Sequence, residues 1–210
     1  MIVVCMAYDR RFEELAAVSV PLAERYCQKH GYAFIRDRID EREGDACKIR
    51  LFNTLYATGA YDGNDVFFWL DTDALIMNSD EKLEPFAERM REKHVLYGCD
   101  PNGINTGTWF ARFTSHADHF LRVAQQKSAS MGWADQEGII QTYVQPAFTS
   151  RVAVVPGKGF NSMLYDLYGW DWSHKHEINA YEPGDLVLHF PGIEFSQRVE
   201  LMRQHAKDAV

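Results

Sequence analysis

The run Val66-Phe67-Phe68-Trp69-Leu70 is apolar at every position, and no other segment constrains the fold as strongly. Successive side chains of a strand point to opposite faces, so a run without a polar position must be covered on both sides. A central strand of a mainly parallel sheet, flanked by helices, meets that condition. The remaining chain supplies such a setting. Short β-branched and aromatic runs predict strands from Ile2 to Ala7, Tyr32 to Ile35, Val95 to Cys99, Trp109 to Phe113, Val152 to Val155 and Leu186 to Phe190. Helical periodicity predicts helices from Arg11 to Lys29 with Gly31 as a cap, from Cys47 to Thr58 closed by Gly59, and over His116 to Gln126, Asp135 to Tyr143 and Phe195 to Ala206. Pro21 is expected to break or restart the first helix, because it lacks a donor and crowds the preceding turn. The polar stretch from Asp37 to Asp45 is expected to be a solvated loop. Alternating strands and helices of this kind build an α/β three-layer sandwich with a mainly parallel central sheet. Ligands of such sheets gather at the carboxyl ends of the strands.

Of the 210 residues 46% are hydrophobic, and no repeat, linker or low-complexity segment divides them, so a single domain over residues 1–210 is expected. Thirty acidic residues against 22 basic ones leave a net charge of −8 with no Lys/Arg cluster. That balance argues against a nucleic-acid partner held by phosphate neutralisation. No apolar run approaches the roughly 20 residues that cross a bilayer, so no transmembrane segment is expected. The start MIVVCMAYDRRF lacks the basic n-region of a signal peptide and reads as a first strand, which points to a cytoplasmic protein. Cys5, Cys27, Cys47 and Cys99 are scattered rather than paired at close spacing, as reduced, packed cysteines would be.

Directly after the apolar run comes Asp71-Thr72-Asp73, followed by the apolar Ala74-Leu75-Ile76-Met77. Two carboxylates between apolar segments need cations or many donors, because burying them unpaired costs several kcal/mol. In an extended segment residues i and i+2 point to one side, so Asp71 and Asp73 are expected to converge on one divalent ion. Oxygen ligands favour Mn²⁺ or Mg²⁺. His189, in GDLVLHFPG, closes a predicted strand before a glycine turn and is available as a third ligand. His30, His116, His119 and His205 lie in plainer helical or terminal positions, and His174 and His176 form a further candidate pair in the loop WDWSHKHE.

In their order, five segments resemble those of GT-A-fold retaining glycosyltransferases. These are the first strand ending at Ala7-Tyr8, Lys48 in the helix before the apolar run, FFWLDTDALIMN, GINTGTWFAR with ADQEGI after it, and GDLVLHFPG. The resemblance is strongest to glycosyltransferase family 34, the galactosyl-, mannosyl- and xylosyltransferases, and extends more distantly to glycogenin-like transferases. It implies a GT-A fold in which Asp71, Asp73 and His189 hold Mn²⁺, or Mg²⁺, against the diphosphate of a nucleotide sugar. The implied donor is UDP-linked in preference to GDP-linked, and the implied acceptor is a glycan or glycoprotein. Ala7, Tyr8 and Asp9 would seat the base and ribose. Lys48 would stand near the donor, with Thr72 and Gly192 in the same donor-facing set, and Asn105, Thr106 and Gly107 would bond the sugar hydroxyls. Asp135 and Gln136 would lie beside the anomeric carbon, and Asn161 would border the pocket.

Two retaining routes fit these residues. Asp135 or Gln136 acts as a nucleophile or ion-pair stabiliser, or the acceptor hydroxyl attacks on the face that the phosphate leaves; the second is favoured here. The chain departs from glycogenin-type relatives where they carry a phosphate-touching lysine after the histidine-glycine turn. Here Gly192-Ile193-Glu194-Phe195 follows, with Arg198 as a candidate substitute. Trp133, Trp170 and Trp172, in the loops from Met131 to Ala134 and from Tyr165 to Lys175, are candidates for stacking on sugar rings. Two other function classes use similar residues: a non-catalytic nucleotide-sugar or glycan-binding module, and a metal-dependent nucleotidyl- or phosphotransferase. The phosphate loop GxxxxGK[ST] does not occur in the sequence.

Overall fold

A computed structural model of the chain describes all residues except 43, 132–134, 169–175 and 210; the side chains of 45, 130, 131, 176 and 177 also lie outside the description. Among the described residues the order is β1 (Ile2–Tyr8), α1 (Glu13–His30), β2 (Ala33–Arg38), α2 (Cys47–Ala57), β3 (Val66–Leu70), β4 (Ala74–Ile76), α3 (Glu84–Ala87), β5 (Val95–Asp100) and β6 (Gly103–Arg112). It continues with α4 (Ser115–Met131), α5 (Asp135–Tyr143), α6 (Pro146–Thr149), β7 (Val152–Pro156), β8 (Ser162–Met163), α7 (His176–Asn179), β9 (Val187–His189) and α8 (Phe195–His205). The central sheet has the order β2-β1-β3-β6-β5-β7. It is parallel except at β6, which runs antiparallel to both neighbours.

β3 is buried at every position, as its composition requires. Val66, Phe68 and Leu70 face a core shared with Ala16, Val20 and Ala23 of α1. Phe67 and Trp69 face the opposite core, where Phe52 of α2 meets Phe67 edge-on at 5.4 Å and Trp109 of β6 lies 4.9 Å from it. Helices on both faces therefore make the three layers of an α/β sandwich. No helix among the described residues is long and apolar enough to cross a membrane.

α1 runs unbroken through Pro21, against the expected break. Pro21 and Ala17, whose carbonyl loses its intrahelical donor, are both exposed, so solvent can reach that carbonyl. Glu13 and Glu14 at the start, Lys29 and His30 at the end and the left-handed Gly31 (φ 72°) suit the helix dipole and its termination. β2 continues to Arg38, into the stretch expected to be a loop, because its parallel pairing with β1 runs to Tyr8 opposite Arg38.

β6 begins at Gly103, well before the predicted Trp109, and carries a bulge. Tyr97 pairs with Trp109, but the next residue, Gly98, pairs with Asn105, which leaves Thr106, Gly107 and Thr108 without partners on β5. A second small sheet, β4-β9-β8, was not predicted and sets Ala74 opposite His189.

Gly138 of α5 packs onto α4 so closely that a Cβ there would stand 2.4 Å from the Ala124 carbonyl oxygen and 2.0 Å from Ser128 Oγ. Alanine normally gains about 1 kcal/mol over glycine inside a helix. Here the neighbouring backbone cannot yield, and overpacking of about 1–3 kcal/mol outweighs that gain. Gly138→Ala is therefore expected to lower the urea midpoint without changing the slope. An unchanged or raised midpoint would refute this packing argument.

Candidate active site

The site forms where β3 ends. Asp71 N–H donates to the Gly107 carbonyl at 2.8 Å, and a tight turn follows in which Ala74 N–H donates to the Asp71 carbonyl at 3.0 Å. Asp71 and Asp73 thus converge through a turn and not through strand alternation, which corrects the extended geometry expected for them. β9 pairs with β4 and brings in His189, and Phe190 N–H donates to the Asp73 carbonyl at 2.9 Å. One donor atom from each of Asp71, Asp73 and His189 lies within 4.8 Å of the other two.

Each carboxylate has distinct partners. Asp71 accepts from Trp69 Nε1 at 2.6 Å and from Lys48 Nζ at 3.1 Å. Asp73 accepts from Arg198 Nη1 at 2.7 Å and faces His189 Nε2 at 3.3 Å. Burial pushes the Asp71 carboxyl above the usual carboxylate range, and the adjacent Asp73 adds to the rise, while Lys48 opposes it. Burial also opposes charge on Asp73, but at the acid pH where a carboxyl titrates a protonated His189, with Arg198, prevails and holds its carboxyl below that range. Two carboxylates and an imidazole nitrogen, with ligand atoms within 4.8 Å of one another, suit Mn²⁺ or Mg²⁺. The donor set therefore fits the metal that the resemblance implies.

Lys48 links this centre to the helical layer. Its ammonium, on a side chain only 7% exposed, lies 3.1 Å from Asp71 and 3.6 Å from the buried Asp135 Oδ2 at the start of α5. It also donates to the Thr106 carbonyl at 3.3 Å, which the bulge of β6 turns toward it. Gln136 is the next residue of α5 and is half-buried. An open cleft of about 450 Å³ extends from Ala7 and Tyr8, past Lys48, Asp71, Thr72 and Asp73, to Phe195 and Arg198.

Other expected residues occupy less direct places. Asp9 lines the cleft, but its carboxylate accepts from Arg11 N–H at 2.7 Å and from Arg11 Nε at 3.0 Å, bonds that hold it below the usual range. Asn105 is buried, with its amide bonded inside the protein. Gly107 leaves room for the histidine, since a Cβ there would stand 2.0 Å from His189 Cε1. Gly192 turns the chain after β9 with φ 68°. Trp133, Trp170, Trp172 and His174 lie outside the described residues, as does the side chain of His176. Trp69 was not expected here. Its signal was the same i, i+2 relation to Asp71 combined with an indole N–H that needs a partner when buried.

No family model matches the chain. It is 23% identical, over 225 aligned residues, to an alpha-1,2-galactosyltransferase of Schizosaccharomyces pombe, covering 81% of this chain and 54% of that protein. The chain spans about half the length of the curated relatives it matches. Among solved structures, a glycosyltransferase involved in glycosylation of the major capsid of PBCV-1 superposes with a TM-score of 0.70 at 20% identity, covering 97% of this chain and 98% of that one. The galactosyltransferase LgtC, solved with donor and acceptor sugar analogues, gives a TM-score of 0.60 at 16% identity, covering 100% and 96%. The fold is the GT-A fold of these glycosyltransferases.

Proposed function

We propose that the chain is a metal-dependent, retaining glycosyltransferase that moves a sugar from a nucleotide-sugar donor, UDP-linked, to a hydroxyl of a glycan or glycoprotein. The observation that carries this reading is the convergence of Asp71, Asp73 and His189 beside the cleft, with Lys48 joining that centre to Asp135. The three ligands would hold Mn²⁺, with Mg²⁺ as the alternative, and the bound ion supplies Lewis-acid stabilisation of charge on the departing diphosphate. Arg198, within reach of Asp73 and the cleft, adds a fixed cation for the same diphosphate in place of the lysine of glycogenin-type relatives. Ala7, Tyr8, Asp9 and Thr72 line the donor's path, with Gly192 at the turn beside it. Asn105, Thr106 and Gly107 shape the sugar side.

In the favoured route the acceptor oxygen bonds to the anomeric carbon on the face from which the diphosphate oxygen departs. The acceptor's proton passes to that departing oxygen. Asp135, kept close to Lys48, and Gln136 stabilise the positive charge that develops on the sugar ring. The name of the S. pombe relative, an alpha-1,2-galactosyltransferase, supports galactose as the first donor sugar to test.

The test is a panel of UDP- and GDP-sugars, each with Mn²⁺ and with chelator, read by thermal stability and by release of nucleoside diphosphate. Binding at a hundredfold excess over Kd stabilises the folded state by about 2.7 kcal/mol. Metal-dependent stabilisation by one nucleotide class, with diphosphate release, is the expected result. Stabilisation without release in the presence of glycan acceptors would instead identify a binding module, and no response to any donor would overturn the reading.

A further inference from the structure

His189 belongs to a chain of buried amides that runs away from the cleft. Its Nδ1 lies 2.9 Å from Asn161 Oδ1, Asn161 Nδ2 lies 2.9 Å from Asn105 Oδ1, and Asn105 Nδ2 lies 2.9 Å from Asp100 Oδ2. The direction of this chain is determined at two points. Gly107 N–H, which can only donate, points at one end of the Asn105 amide at 2.9 Å, so that end is the oxygen. The other end faces the Asp100 carboxylate and must be the amide nitrogen. Asn105 Oδ1 then receives Asn161 Nδ2, which turns Asn161 Oδ1 toward the imidazole. An oxygen there accepts only from a protonated Nδ1. Asn161 and His189 are 0% and 3% exposed, so no solvent competes for these bonds. A second set of contacts holds Asn161 in place: Asn179 Nδ2 donates to its carbonyl at 3.0 Å, and Tyr165 Oη donates to Asn179 Oδ1 at 2.5 Å.

We propose that Asn161 is a positioning residue for the metal centre: through the relay Asp100–Asn105–Asn161 it fixes His189 in the Nδ1–H tautomer, with the Nε2 lone pair directed at the site of Asp71 and Asp73. The ring nitrogen that binds a metal must carry no proton, and its orientation is set by the hydrogen bond made at the other nitrogen. The relay also joins the sugar side of the proposed site, at Asn105, to the metal side, at His189. The part that concerns a metal rests on the function proposed above, whereas the tautomer does not.

Two opposed hydrogen bonds make the tautomer decisive. With Nδ1 protonated, the ring donates to Asn161; with Nε2 protonated, it donates to Asp73 Oδ1, 3.3 Å away. The experiment is a long-range proton–nitrogen correlation spectrum of metal-free, nitrogen-15-labelled protein, recorded well above the usual histidine pKa of about 6.5. His189 is assigned by its loss in His189→Gln. A protonated Nδ1 is the expected result, and a protonated Nε2 would overturn the proposal. In Asn161→Ala the Nε2–H form should appear, and Mn²⁺ affinity, followed by electron paramagnetic resonance of the free ion, should fall about 10–100-fold. Unchanged tautomer and affinity in a folded Asn161→Ala would overturn it as well. If that variant does not fold, the wild-type spectrum still decides. A protonated Nδ1 in a protein that uses no nucleotide sugar would sustain this inference while the function fails, and a protonated Nε2 in an active transferase would do the reverse.

Discussion

Asp73→Ala is expected to abolish the metal-dependent stabilisation by donor and to reduce Mn²⁺ affinity by more than about 100-fold, beyond the 10–100-fold that loss of an outer-shell partner costs. Asp73 is the carboxylate that meets both Arg198, at 2.7 Å, and His189, at 3.3 Å. Without it, Asp71 and His189 remain as two of the three proposed ligands, and Arg198 keeps only its bonds to the Ile193 carbonyl among those described. The fold should survive, because the side chain sits in a turn at a strand end and its removal takes no apolar side chain from the core. The thermal midpoint should nevertheless fall, because Arg198, on a side chain 15% exposed, loses its carboxylate partner, and breaking a buried pair costs about 3–5 kcal/mol. Calorimetric titration with Mn²⁺, with and without UDP-sugar, checks both parts. Retained metal-dependent turnover in a folded Asp73→Ala would remove Asp73 from the site.

Gly107→Ala is expected to cost about 1–3 kcal/mol of stability, the usual range for overpacking, and to displace His189 while leaving all three proposed ligand residues in the sequence. The added methyl would meet the imidazole at 2.0 Å from Cε1 and 2.6 Å from each ring nitrogen. The backbone cannot move away, since Asp71 N–H holds the Gly107 carbonyl and Gly107 N–H is bonded to Asn105. The imidazole must therefore move. A double-mutant cycle identifies the cause: in a His189→Ala background the methyl enters vacated space, and the stability cost of Gly107→Ala should fall toward zero. A cost that is the same in both backgrounds would show that Gly107 acts through some group other than His189. The sequence assigned this glycine to the donor sugar by resemblance, and the cycle separates that role from its steric one.

The first half of the fold was legible because short-range periodicity reports burial. The unbroken apolar run at β3 announced a strand covered on both faces, and strand-helix alternation up to Leu70 matched the elements found. Pro21 misled because proline's cost depends on whether the deprived carbonyl is solvated, and exposure of Ala17 is a property of the packed helix. The bulge in β6 was invisible for a related reason. Asn105, Thr106 and Gly107 precede the strand predicted at Trp109, yet Asn105 pairs with Gly98 of β5, Thr106 and Gly107 slip past β5, and the Gly107 carbonyl accepts from Asp71 N–H at the end of β3.

The sequence by itself determined the central strand, the pair of aspartates at its carboxyl end and the order of candidate ligands along the chain. Each of these depends on residues a few positions apart, where local geometry and burial leave little choice. The resemblance named His189, Lys48 and Arg198 as candidates for that site, but only the tertiary structure decided which atoms each of them meets. Pairing of β9 with β4 brings in His189, packing of α2 brings Lys48 between Asp71 and Asp135, and α8 delivers Arg198 to Asp73. These are contacts across long stretches of chain, and they form when separate apolar faces are buried together. The charges they bring to one point are selected by that packing and leave no periodic trace in the sequence.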